Sequence, residues 1–366
     1  MSPVRSGAAE LPPLFEFTDE HHALRELLRR WFEQAGPAAE WGRLCAETGV
    51  GELLFGDATG EFAGTAIDIA TVAEVSGAAL FGGPVLSMAV AGALAEVPSV
   101  GALRAGTMTV AVADSVLGRT GVAHPRLHGE AAGATLSGRI EPVWDLGCPD
   151  LIVCAVRADG SDDVLAVLRA EATGVELERM TCLDLSRGIG RIDCAEVTPE
   201  FVLSGDAARR VTAAMRRRAD LVLAAEALGA AQCALDRTVE YARSRVQFGR
   251  TIGSFQAVKH RLADLVTQVE LTRSAVYGAA WALAAAPERP GTAVDLAVAA
   301  AVAAETAVGS ARTAVQLHGG IAITWEHWAH RYLRRAHAVA ALTGGAAAHR
   351  RRLADLLEPR DGRHDR

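Results

Sequence analysis

Between Asp206 and Gln247 the chain carries no proline and a single glycine, Gly229. Within that stretch Val222, Leu223, Leu228, Ala231, Leu235 and Val239 recur at helical spacing, which predicts one long helix with an apolar stripe. A break follows at Phe248-Gly249 and Ile252-Gly253, and further helical patterns run over about 254–286, 291–317, 325–341 and 346–357. Four or five long helices with short connections predict a bundle.

The rest of the chain has two other textures. Near the N-terminus, Thr18 is a plausible N-cap, with Asp19 and Glu20 where the helix dipole favours acids. Leu24, Leu27, Leu28, Trp31 and Phe32 follow at helical spacing, and more helical sequence covers about 39–48 and 65–106. From about residue 107 the pattern shortens to runs rich in Val and Ile, such as Met108–Asp114, Leu151–Val156, Val164–Leu168 and Ile192–Val197, separated by turn formers. That spacing predicts a small antiparallel β domain. The expected class is α+β: a helical domain over 14–106, a middle β domain over 107–203 and a C-terminal four-helix bundle over 204–358.

Composition narrows the function. Lys+Arg 37 against Asp+Glu 44 gives a net charge of −7, which argues against non-specific nucleic-acid binding. The six cysteines are scattered without a C-x-x-C pair, as expected of reduced thiols in a cytoplasmic protein. The N-terminal residues lack the apolar run of a signal peptide, and no charge-free apolar stretch of about 18 residues predicts a membrane span. There is no P-loop, no G-x-G-x-x-G opening a βαβ unit and no His-Glu-x-x-His. Glu326, His327 and His330 fall within one turn and have metal-ligand chemistry, but a charged helix face around a buried Trp explains them better, and no metal is expected.

Two segments carry more information. One runs from Tyr241 to Asp264 and contains Arg245-Val-Gln-Phe248-Gly249, Phe255-Gln256 and His260-Arg-Leu-Ala263-Asp264. The other contains Gln316-Leu-His-Gly319-Gly320 and continues to Arg334-Arg335-Ala336. Both resemble signatures of the acyl-CoA dehydrogenase family, which usually has Arg-Asp-Ala at the last of these. A dinucleotide pyrophosphate wants a fixed guanidinium and approachable backbone N–H groups, chemistry that Arg245 and the glycine pair have. The resemblance implies the α–β–α fold, FAD as cofactor, and contacts from Arg245, Gln247, Phe248, Gln316, Gly319 and Gly320 to FAD across a dimer interface. It also implies an acyl-CoA or acyl-carrier thioester as substrate, and a homo- or hetero-oligomer with an acyl-CoA dehydrogenase subunit.

The family uses a carboxylate to take the α-proton of the thioester. Its usual position corresponds here to Thr343, and the alternative position on the first bundle helix to Ala219. Neither is an acid. Asp220, beside Ala219, and Glu226, two turns beyond it in an apolar run, are the candidate bases. Glu226 is open to a second reading, as a structural carboxylate paired with an arginine. The family's flavin-ring motifs are replaced by Val112-Ala-Asp-Ser-Val-Leu117 and Ile140-Glu-Pro-Val-Trp144. Leu183-Asp184-Leu-Ser-Arg187 resembles a Leu-Asp-x-x-Arg motif of short actinobacterial-type members and reads as structural. The arginine clusters 209–210, 216–218 and 350–352 suit coenzyme A phosphates or plain solvated helix faces. Two readings follow: a flavin-dependent dehydrogenase forming a 2-enoyl thioester, or a catalytically degenerate partner that completes a neighbour's FAD site.

Overall fold

The computed structural model describes residues 16–55, 64–94, 97–117, 124–129, 133–158 and 161–357; the expected outer limits at 14 and 358 lie outside the described residues. The N-terminal helices are α1 (Asp19–Ala35), α2 (Trp41–Thr48), α3 (Val50–Phe55), α4 (Ala66–Ala78), α5 (Val85–Ala91) and α6 (Val100–Arg104). Thr18 caps α1: its side chain accepts from the His21 N–H, and its own N–H donates to His21 Nδ1 at 3.1 Å. Thr65 and Asp68 build the same reciprocal cap on α4. Leu28, Trp31 and Phe32 of the expected α1 stripe are buried, whereas Leu27 faces solvent.

The strands are β1 (Val110–Ala113), β2 (Arg126–His128), β3 (Thr135–Trp144), β4 (Leu151–Ala158), β5 (Ser161–Arg169), β6 (Val175–Arg179), β7 (Ile189–Val197) and β8 (Phe201–Ser204). They form one sheet in the order β6-β7-β3-β1-β4-β5-β8, with β2 bridging β3 and β4. The sheet is mixed rather than antiparallel, because β4 lies parallel to both β1 and β2. The chain makes β2 and β3 before β4 returns beside β1, a crossover that periodicity within single strands does not register.

The bundle comprises α7 (Gly205–Ser244), the β9 (Val246–Gln247) and β10 (Arg250–Thr251) hairpin, α8 (Gln256–Ala285), α9 (Pro290–His318), α10 (Ala329–Leu342) and α11 (Gly345–Leu357). The 40 residues of α7 span about 60 Å. Leu221–Ala231 are buried all round, not along one stripe, because α7 is packed against α4 as well as α9. A Cβ built on Gly229 would lie 1.8 Å from the Glu74 carbonyl oxygen, and one on Gly77 would lie 2.2 Å from that of Glu226. These two glycines let the α4 and α7 backbones touch. The stretch Pro290–Ile323 is long and apolar enough to cross a membrane by length and composition, which the charge-free test on the sequence did not register. More than half of its most apolar window, 56%, is buried, and α9 packs on α7 and α8 as a core helix does.

Candidate active site

The chain leaves α7 through a hairpin whose two-residue tip is Phe248-Gly249, with φ of 54° and 77°. Such a turn needs φ > 0 at both positions, which glycine meets freely and phenylalanine only under strain. Phe248 is 92% exposed at this tip. The Arg245 N–H donates to Tyr241 O, and its carbonyl accepts from Ile252 N, both at 2.8 Å, so the backbone at residue 245 is fixed. The His318 ring, at the end of α9, stacks on Tyr241 with centroids 4.1 Å apart. Gly319 then breaks α9 with φ 69°.

That stacking brings the ends of α7 and α9 together. Arg245, Gln247 and Phe248 from one end, and Gln316, Gly319 and Gly320 from the other, lie at the same end of one bundle, and all six are exposed. A Cβ on Gly249, Gly319 or Gly320 would meet nothing within 4 Å. Arg245 has no ion-pair partner among the described residues, and Ile321 and Ile323 beside the glycines are exposed as well. A guanidinium, open backbone and uncovered apolar side chains fit the phosphate end of a dinucleotide brought by another subunit.

The ring end differs. Trp144 is fully buried, and its Nε1–H donates to Asp114 Oδ1 at 2.9 Å. The two stretches standing where the family has its ring motifs are therefore tied to one another, with Val112–Val116, Val143 and Trp144 buried and Leu117, Glu141 and Pro142 part-exposed. Residues 118–123, which continue the first stretch, lie outside the described residues.

Neither candidate base is available. Asp220 is paired with Arg352 of α11. Glu226 is buried between two guanidiniums, with Arg187 Nη2 and Arg335 Nη1 each at 2.6 Å from one carboxylate oxygen. Burial pushes the Glu226 carboxyl up, but Arg187 and Arg335 outweigh it and hold it at about 2. Buried between two guanidiniums, Glu226 has no free face for a thioester, and Asp220 is itself ion-paired, so the catalytic expectation for both is corrected to structural ion pairing. Thr343 donates its hydroxyl to Val339 O at 2.9 Å, and Ala219 is buried.

The pairing around Glu226 reaches all three domains. Arg187 also meets Asp145 at 3.3 Å, and Arg335 also binds Asp184, Ser186 Oγ and the Phe81 carbonyl. Asp145 in turn accepts from the Ser87 N–H at 3.0 Å. The sequence marked Asp184 and Arg187 as structural and left Glu226 open to pairing with an arginine, but the role of Arg335, which binds both Asp184 and Glu226, was missed. Its signal was the second arginine of Arg334-Arg335-Ala336: where the family usually has an aspartate, this chain supplies the second guanidinium for Glu226.

Arg209, Arg210, Arg350 and Arg351 lie on solvated helix faces, whereas the 216–218 cluster is tied into the fold. Arg209, Arg217 and Arg350 pair with Asp206, Glu288 and Glu305, and Arg216 binds the Val116 carbonyl. Arg218 is half-buried and donates to the carbonyls of Leu54 and Ala89, and desolvation lowers its guanidinium to about 10. No group of His, Cys, Asp and Glu that could hold a metal occurs among the described residues. There His327 stacks on Trp328 and sits 4.9 Å from His318, while His330 meets Trp325 O.

Comparison with known proteins places these features. Residues 211–357 match the model of the acyl-CoA dehydrogenase C-terminal domain. The chain is 34% identical over 342 residues to acyl-CoA dehydrogenase IpdE2 of Mycobacterium tuberculosis, covering 88% of this chain and 93% of that one. It is also 34% identical over 370 residues to acyl-CoA dehydrogenase FadE34 of the same organism, covering 93% of this chain but only 48% of that longer protein. The crystal structure of the ChsE4-ChsE5 complex from Mycobacterium tuberculosis superposes with a TM-score of 0.81 at 26% identity, over 94% of this chain and 99% of the other. The chain belongs to the acyl-CoA dehydrogenase family, FAD-dependent oxidoreductases acting on CH–CH donors.

Proposed function

We propose that this chain acts as the catalytically degenerate partner in a heteromeric acyl-CoA dehydrogenase that forms a 2-enoyl thioester. The observation that carries this reading is an asymmetry. The phosphate-side cluster at the bundle end is open, while both candidate bases are ion-paired and the ring-side stretches lack the family's motifs and are tied together by Trp144 and Asp114. FAD, when bound, supplies the acceptor for the substrate's β-hydrogen. Arg245 and Gln316 would hold its phosphates, Gly319 and Gly320 would let backbone approach them, and Phe248 would cover the join between subunits. The partner contributes the carboxylate. That the similar ChsE4-ChsE5 structure is itself a complex of two different proteins supports the heteromer.

The six cysteines are unpaired, which supports a reducing, cytoplasmic setting. The test is purification of the chain alone and after co-expression with an acyl-CoA dehydrogenase subunit. The lone chain should lack flavin absorbance and activity, and the pair should have both. Full FAD content and acyl-thioester oxidation by the lone chain would remove the proposal and restore the reading of a self-sufficient dehydrogenase.

A further inference from the structure

A cleft of about 1230 Å³ lies between the N-terminal helices and the bundle, lined by none of the six phosphate-side residues described above. Into it project Arg29 of α1, Arg237 of α7, Arg331 and Arg334 of α10, and Trp325 and Trp328 from the turn before α10. The Arg334 guanidinium lies 4.6 Å over the Trp325 ring and that of Arg237 5.2 Å over Trp328, so indoles hold two of the cations in place. None of the four arginines has an ion-pair partner among the described residues. The carboxylates of the lining are fewer. Asp184 is paired with Arg335, Asp236 accepts from the Gln232 amide at 2.7 Å and keeps its charge, and Glu33 also lines the cleft. In a chain of net charge −7, this concavity is a local excess of fixed positive charge. Guanidiniums that outnumber the carboxylates around them repel one another, and an anion bridging them relieves that cost.

The aromatic side of the cleft refines the ligand class. Trp325 is 64% exposed, so the indole keeps open surface beyond the face that Arg334 covers. An exposed ring next to a guanidinium pair suits a flat heterocycle joined to phosphates. Small-molecule sites typically have volumes of about 300–1,000 Å³. The cleft has room for a nucleotide with its mouth still hydrated.

We infer that this cleft is a binding site for a nucleoside polyphosphate, held by Arg237, Arg331 and Arg334 with its base against Trp325. The site is separate from the FAD-facing bundle end and does not rest on the partner-subunit reading.

The test is calorimetric titration of the full chain with adenosine diphosphate, and with inorganic pyrophosphate as the ring-free probe. ADP should bind, more weakly as salt rises, and Arg334→Glu and Arg331→Glu should each weaken it about tenfold or more, as loss of a charge-assisted contact does. Trp325→Ala should weaken ADP several-fold and leave pyrophosphate unchanged. Arg245→Ala should leave in place the part of ADP binding that the α10 variants remove. No ADP binding at millimolar concentration would overturn the inference. So would ADP binding abolished by Arg245→Ala but indifferent to both α10 variants, since that assigns the nucleotide to the bundle end. Unchanged thermal melts keep the two α10 variants interpretable; if one misfolds, the other decides.

Discussion

At the scale of single residues, Glu226 shows how a departure from a family pattern becomes legible only with its partners in view. Removing its charge leaves Arg187 and Arg335 buried without a shared anion, and breaking a buried pair in this way costs about 3–5 kcal/mol. Glu226→Gln should therefore lower the chemical-denaturation midpoint strongly, and an unchanged midpoint would contradict the pairing. The same residue sets a pH dependence. Its carboxyl has an ordinary value of 4.5 and is held at about 2 in the fold, so the unfolded chain binds its proton first. The stabilisation is complete above about pH 4.5 and is lost as pH falls toward 2. Glu74 adds to this with the same sign: burial raises its carboxyl, but Arg273 and Arg25 lower it more. Asp145 opposes it, because burial raises its carboxyl. Acid unfolding followed by circular dichroism should show Glu226→Gln losing much of the wild-type slope between pH 4.5 and 2. Arg335→Asp, which restores the family's usual residue, should be worse than Glu226→Gln, since it places a third carboxylate beside Glu226 and Asp184.

At the scale of elements, helix propensity and packing make opposite forecasts for Gly229. In mid-helix an alanine is favoured over glycine by roughly 0.5–1 kcal/mol. Here its Cβ would meet the Glu74 carbonyl at 1.8 Å, and the neighbouring atoms are helix backbone that cannot swing aside. Overpacking of this kind costs about 1–3 kcal/mol, so Gly229→Ala should lower the melting temperature. The hairpin tip makes a different forecast. Phe248 is exposed and its backbone is strained, so Phe248→Gly should change the stability of the lone chain by less than about 1 kcal/mol. The same change should weaken assembly with a dehydrogenase partner, measured by co-purification and retained flavin. Equal assembly would show that the exposed ring has no role at an interface. The long helices and the main strand runs were readable from periodicity and caps, while β2, β6 and β8 were not singled out. The parallel placement of β4 was not, because it depends on which strands become neighbours after the chain has crossed over.

At the scale of the whole molecule, the sequence by itself determined the three-part architecture, the long α7 and the family signatures. It did so because apolar spacing, N-caps such as Thr18, and the Arg245 and Gly319-Gly320 motifs are local patterns. It also showed that acids are missing at Thr343 and Ala219, since an absent carboxylate is visible without coordinates. What became of Asp220 and Glu226 was decided only by tertiary structure. A carboxylate's proton affinity is set by the charges within a few ångströms, and those of Glu226 come from Arg187 and Arg335, 39 and 109 residues away along the chain. The placing of Arg245 and the glycine pair at one bundle end, and the gathering of four arginines into one cleft, likewise arise from how α1, α7, α9 and α10 pack.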